Sequence, residues 1–169
     1  MAKKPSALKT SVDFDIGIDM IIPATQEAFK KDDFSEAKRK DEKSGITAFK
    51  MTLLQRAEND LKDTRHFPTA KEVFIFIVQY FISEKDYKSR DVDNMAKTVL
   101  DALNGRFYKD DGQVKTLLVT KKMESRVPQN FAYIAIKELK DGKDIEAIKT
   151  SGVERSVTMF QELKSKGII

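Results

Sequence analysis

The sequence predicts an α+β fold: a small mixed β-sheet packed against helices, with a C-terminal helical extension. Three observations predict it. The run EVFIFIVQYFIS at 72–83 is apolar on both faces and has the β-branched and aromatic content of a central strand. Just before it, Ile46, Phe49, Leu53, Leu54, Ala57 and Leu61 recur at helical spacing. At 169 residues and 40% hydrophobic, the chain is long enough for one domain with a real core and short for two.

Taken in order, VDFDIGIDMII at 12–22 partly alternates apolar with acidic residues and reads as a first strand closed by Pro23. From Gln26 to Ser44 the chain is dense in Lys, Asp and Glu, with Phe29 and Phe34 its only large apolar residues, which suits an exposed loop, hairpin or frayed helix. The helix of Ile46 to Lys62 stops at His66-Phe67-Pro68, and the central strand then delivers the chain to Arg90. A helix follows from about Met95 to Leu103, with Asp93 or Asn94 placed to cap it and Gly105 as a left-handed stop. Val114 to Met123 and Asn130 to Glu138 read as strands. Ile145, Ile148, Val153, Val157, Phe160 and Leu163 allow one or two terminal helices. The result is a compact domain over 1–140, with 141–169 as its helical extension and no internal repeat.

Composition narrows the chemistry. The absence of Cys excludes disulfides, thiolate metal sites and cysteine nucleophiles together. The opening MAKKPSALKTS has basic residues but no apolar h-region, and no stretch approaches 18 uninterrupted apolar residues, so a soluble, cytoplasmic protein without membrane partners is expected. A net charge of +4 argues only weakly for nucleic acid. Locally, nine basic side chains against six aspartates between Lys85 and Lys122 leave +3, and bound divalent cations would raise it further. Lys88, Arg90, Lys115, Lys121 and Lys122 are the candidates for phosphate contact.

The most informative segment is RDVDNMAKTVLDALNGRFYKDDGQV, with five aspartates between Arg90 and Val114. Asp91 and Asp93 stand two apart after the apolar run, so on a strand end their carboxylates would share a face. A chain that folds back after the helix could bring Asp111, and with it Asp110, to the same spot. Carboxylate ligands suit Mg²⁺, with Mn²⁺ as a substitute. Lys97, four residues after Asp93, would project over the same first turn and could bind a scissile phosphate or stabilise transition-state charge. Each residue also has an ordinary structural reading. Asp93 and Asn94 can be caps, Lys97 and Asp101 an i,i+4 ion pair, and Asp110 to Gly112 a hairpin turn. Asp13, Asp15 and Asp19 suit an exposed strand face better than a ligand set, and His66 a loop. Phe107 suits the core, while Tyr108 is open to stacking on a base.

The ordered series resembles the RusA family of Holliday junction resolvases. That family has an Arg-Asp-x-Asp-Asn motif, a helix with a Lys and a Leu-Asp-Ala-Leu-Asn-Gly end, then an Asp-Asp-x-Gln-Val turn. Here these are Arg90, Asp91, Asp93 and Asn94, then Lys97, Leu100 to Gly105, and Asp110, Asp111, Gln113 and Val114. The resemblance implies a Mg²⁺-dependent endodeoxyribonuclease on four-way DNA junctions, acting as a homodimer with Asp91, Asp93, Asp111 and Lys97 catalytic. A two-fold dimer suits two symmetric nicks in a two-fold substrate. The stretch ATQEAFKKDD after the first strand lacks the family's Asn- and Arg-rich character, and the tail from Asp141 extends past its usual end. Two other readings remain open: a metal-dependent nuclease on other branched or single-stranded DNA, and a catalytically idle DNA-binding module.

Overall fold

The apolar run at 72–83 forms a strand, Val73–Phe81, at the interior of a four-stranded sheet. Its first seven residues are all buried because alternate side chains enter two different cores. Val73, Ile75, Ile77 and Phe81 join the larger one; Phe74, Phe76 and Val78 join a smaller one on the opposite face. Both edges of this strand are hydrogen-bonded and both faces are buried within one chain, which accounts for its composition.

The computed structural model describes residues 12–24, 36–61 and 67–139. In chain order the elements are β1 (Phe14–Ile18), α1 (Glu36–Leu61), β2 (Val73–Phe81), α2 (Glu84–Lys88), α3 (Val92–Leu103), β3 (Val114–Met123) and β4 (Phe131–Glu138). The sheet order is β1-β4-β2-β3, with β4 antiparallel to both neighbours and β3 parallel to β2. Parallel neighbours need a crossover, and α2 with α3 supplies it. This is the expected α+β architecture, a mixed sheet against helices.

Phe49, Leu53 and Ala57 of α1 and Met95, Val99, Ala102 and Leu103 of α3 meet Ile16, Ile75, Ile77, Ile134 and Ile136 in the main core. The four-residue steps in α1 are the apolar stripe read from the sequence. Gln79 is the polar exception in β2. It is 0% exposed, its Oε1 accepts from the Ile22 amide at 2.8 Å, and its Nε2 donates towards the Met20 and Phe131 carbonyls at 3.2 and 3.0 Å. Together with the Thr98 hydroxyl, which donates to the Pro23 carbonyl at 2.7 Å, it ties the segment after β1 to the sheet and to α3. Gln79→Leu leaves those backbone groups unmatched and is expected to cost about 2–3 kcal/mol, read as a lower urea midpoint at unchanged slope.

The structure departs from the expected boundaries in four places. α1 begins at Glu36, ten residues before the stripe, so part of the charged stretch after Gln26 is helical. α2 has no counterpart among the expected elements, because five residues are too few for a periodic signal; Ser83 caps it, its hydroxyl accepting from the Asp86 amide at 3.2 Å. α3 begins at Val92, and its cap is Asp91, not Asp93 or Asn94. Asp110 to Gly112 do not form a hairpin, since the strand they open runs parallel to β2. Gly105, at φ +77°, is the left-handed stop expected of it. His66, most of the stretch after Gln26 up to residue 35, and the terminal helices expected in 141–169 lie outside the described residues.

Candidate active site

The Arg90 to Lys97 segment stands on a corner fastened from several sides. The Asn130 side chain accepts from the Ile82 amide at 2.9 Å and donates to Asp86 at 3.3 Å, tying the end of β2 to α2. Tyr87 packs edge-on against the buried Phe81 ring at 5.8 Å. Lys121 of β3 reaches under the turn and donates to the carbonyls of Tyr87 at 2.9 Å and Arg90 at 2.7 Å. Asp91 and Asp93 are therefore not on a strand end: a short helix and a turn intervene, and both lie at the start of α3.

Asp91 has extended backbone and its carbonyl accepts from the Met95 amide at 3.2 Å, yet its carboxylate makes no capping bond. Asp91 and Asp93 are both exposed, and among the described residues neither carboxylate has a hydrogen-bond or ion-pair partner. Negative charge is favoured at a helix N-terminus, and here the oxygens of both carboxylates stay open to solvent. α3 buries Asn94, Met95, Thr98, Val99, Ala102 and Leu103 and presents Asp93, Lys97 and Asp101 outward at four-residue steps. Asp101 is 4.0 Å from Lys50, not paired with Lys97. Lys97 is thus exposed one turn from Asp93, without a partner among the described residues.

The Asp110-Asp111 pair follows α3 and leads into β3. α3 carries the chain about 17 Å from Asp91 before it turns back. Lys121, which touches Arg90, is seven residues along β3 from Val114, a run of about 23 Å. Asp110 Oδ1 accepts from the Gly112 amide at 2.7 Å, capping a 3-10 turn at Asp111–Gln113. Gln113 anchors that turn: its Oε1 accepts from the Lys109 and Asp110 amides, and its Nε2 donates to the Thr69 and Lys71 carbonyls. The Asp-Asp-x-Gln spacing thereby has a backbone explanation for its first Asp and its Gln. Asp111 is exposed beside the Tyr108 hydroxyl, whose ionisation is pushed well up, first by burial and then by the Asp111 and Asp101 charges. Tyr108 and Phe107 are both fully buried, and the Tyr108 hydroxyl donates to the Leu100 carbonyl at 2.9 Å, so neither ring is available to stack on a base. Among the described residues no group of three or more carboxylates or histidines could hold a metal ion. Asp91 with Asp93 opens α3, and Asp111 follows it, beside the Tyr108 hydroxyl that bonds the Leu100 carbonyl.

Asp13, Asp15 and Asp19 have structural partners in the Glu138 amide, the Tyr133 hydroxyl and Arg56. Of the basic candidates, Lys88 pairs with Glu84 and Lys115 with Glu72, both on the surface, where such pairs are weak and exchange readily for phosphate. Arg90 Nη1 donates to the Ser89 carbonyl at 3.0 Å. Lys122 is half-buried with no partner among the described residues, while the Lys121 ammonium is directed inward. Sequence reading missed the inward role of Lys121, because its neighbour Lys122 looks identical in one dimension. The signal available was the alternation of β3, which puts Lys121 on the same face as the core residue Val119.

Two exposed carboxylates and a lysine one turn along open α3, donor chemistry of the kind that phosphodiester cleavage uses. The family model for endodeoxyribonuclease RusA matches residues 2–136, and the chain belongs to that family, of Holliday junction resolvase endonucleases. No curated protein matches the chain. The family match ends short of the 141–169 tail, and no helix among the described residues is long and apolar enough to cross a membrane.

Proposed function

We propose that the protein is a Mg²⁺-dependent endonuclease, with Mn²⁺ as substitute, that resolves four-way DNA junctions by paired symmetric nicks as a homodimer in the cytoplasm. The observation that carries this reading is the exposed, partner-free trio Asp91, Asp93 and Lys97 on a fastened corner. Their donor chemistry fits a hard divalent cation, but two carboxylates are half of an open catalytic site. Asp111 is a further exposed, uncapped aspartate of the motif, and it follows α3 where Asp91 and Asp93 open it. A two-fold axis can set each Asp91-Asp93 corner against Asp111 of the partner subunit, which makes cutting conditional on dimerisation.

When bound, the cation would supply an activated water and neutralise the nonbridging oxygens. The chain's own work is orientation. Asp91 and Asp93 hold negative charge at the helix start; Lys97 receives the scissile phosphate from the same face; Lys122, the exchangeable Lys88 and Lys115, and Arg90 carry the flanking backbone. The test is a labelled four-way junction beside a linear duplex of the same sequence, with Mg²⁺ and with chelator. Paired symmetric nicks in the junction alone, only with Mg²⁺, are expected. Equal cutting of flaps, forks or single strands would reassign the substrate, and junction binding without cutting would leave an idle binding module.

A further inference from the structure

We propose that Lys121 is a positioning residue for the Asp91-Asp93 half-site and makes no DNA contact; this rests on the metal reading above. The side chain rises from β3 on the helix-covered face, where it is half-buried. Its ammonium lies 4.3 Å from the centre of the Tyr87 ring and donates to the Tyr87 and Arg90 carbonyls at 2.9 and 2.7 Å. A lysine used this way satisfies two carbonyls in a turn that no strand or helix ladder serves, and the ring face stabilises its charge.

The Arg90 contact matters most. That carbonyl belongs to the planar peptide unit whose nitrogen is the Asp91 amide, so fixing its oxygen fixes the orientation of the backbone entering Asp91. From Asp91 onward α3 is rigid, and Asp93 and Lys97 follow. The same contact joins this corner to β3, which starts immediately after the turn holding Asp111. Lys121 therefore links the two halves of the motif through one strand. Lys122, next in sequence, points to the other face and has none of these contacts.

Lys121→Met keeps an unbranched side chain one atom shorter and removes its donors. In the full-length protein, hydrogen exchange over residues 87–93 is expected to rise while the β2 and β3 amides stay protected. Mn²⁺ affinity, read by electron paramagnetic resonance, is expected to fall about tenfold or more, the range for a group that orients metal ligands. Junction affinity in Ca²⁺ should stay within about twofold, with an unchanged salt dependence; a lost phosphate contact would instead lower that slope by about one. Lys122→Gln should show the opposite pattern. If Lys121→Met does not fold, Lys121→Gln, which keeps a donor for one carbonyl, should give the same changes at smaller size. Unchanged exchange at 87–93, unchanged Mn²⁺ affinity, or a loss confined to junction binding each overturns the proposal. Failure of the wild-type protein to bind Mn²⁺ overturns the metal reading itself, and this proposal with it.

Discussion

Asp93→Asn is expected to abolish junction cutting, by on the order of 10²–10³-fold or more, while leaving the protein folded and the junction bound. The carboxylate is exposed and has no internal partner among the described residues, so nothing in the core registers its loss. Only the favourable charge at the start of α3 disappears, a matter of about 0.3–1 kcal/mol. Asn keeps the volume and one oxygen but loses the charge that a hard cation requires. Asp110→Asn is the internal comparison. Its side chain already caps the turn before β3, a job Asn performs about as well, so cutting should persist. Single-turnover cleavage in Mg²⁺ beside junction binding in Ca²⁺ reads both effects. A wild-type cleavage rate in Asp93→Asn would remove that residue from the site.

The fold is legible where one physical period rules a segment. β2 and β3 follow from the sequence because an apolar run with β-branched residues has few other homes, and α1 because Phe49, Leu53 and Ala57 keep helical spacing. α2 is invisible because one turn of helix has no period to detect, yet it is what displaces Asp91 and Asp93 from the strand end. Within the motif, the order of residues is readable and their division of labour is not. Asp110 and Gln113 serve the backbone, Tyr108 the core, and Lys121 the corner; each of these roles depends on contacts across 2 to 44 residues that spacing does not encode. Asp91 and Asp93 open α3 while Asp111 follows it, so the two parts of the motif flank one helix.

That geometry makes a mixed dimer the most decisive experiment. Asp93→Asn and Asp111→Asn homodimers should both be inactive. Mixed in equal parts and allowed to exchange subunits, about half of the dimers become heterodimers under random reassortment. In each heterodimer one site collects both substitutions, and the other combines an intact Asp91-Asp93 corner with an intact Asp111. About a quarter of all sites are then restored, so nicking should return to about 25% of the wild-type rate from two inactive parents. The product also changes: one intact site per dimer nicks a single strand, so nicked junctions accumulate while paired resolution stays absent. A site confined to one protomer behaves differently, since every site in the mixture would still carry one substitution and no activity would return. Recovery of single nicks thus identifies a site shared between subunits. Continued inactivity, with subunit exchange verified by differently tagged chains, would place Asp111 outside the half-site that Asp91 and Asp93 begin.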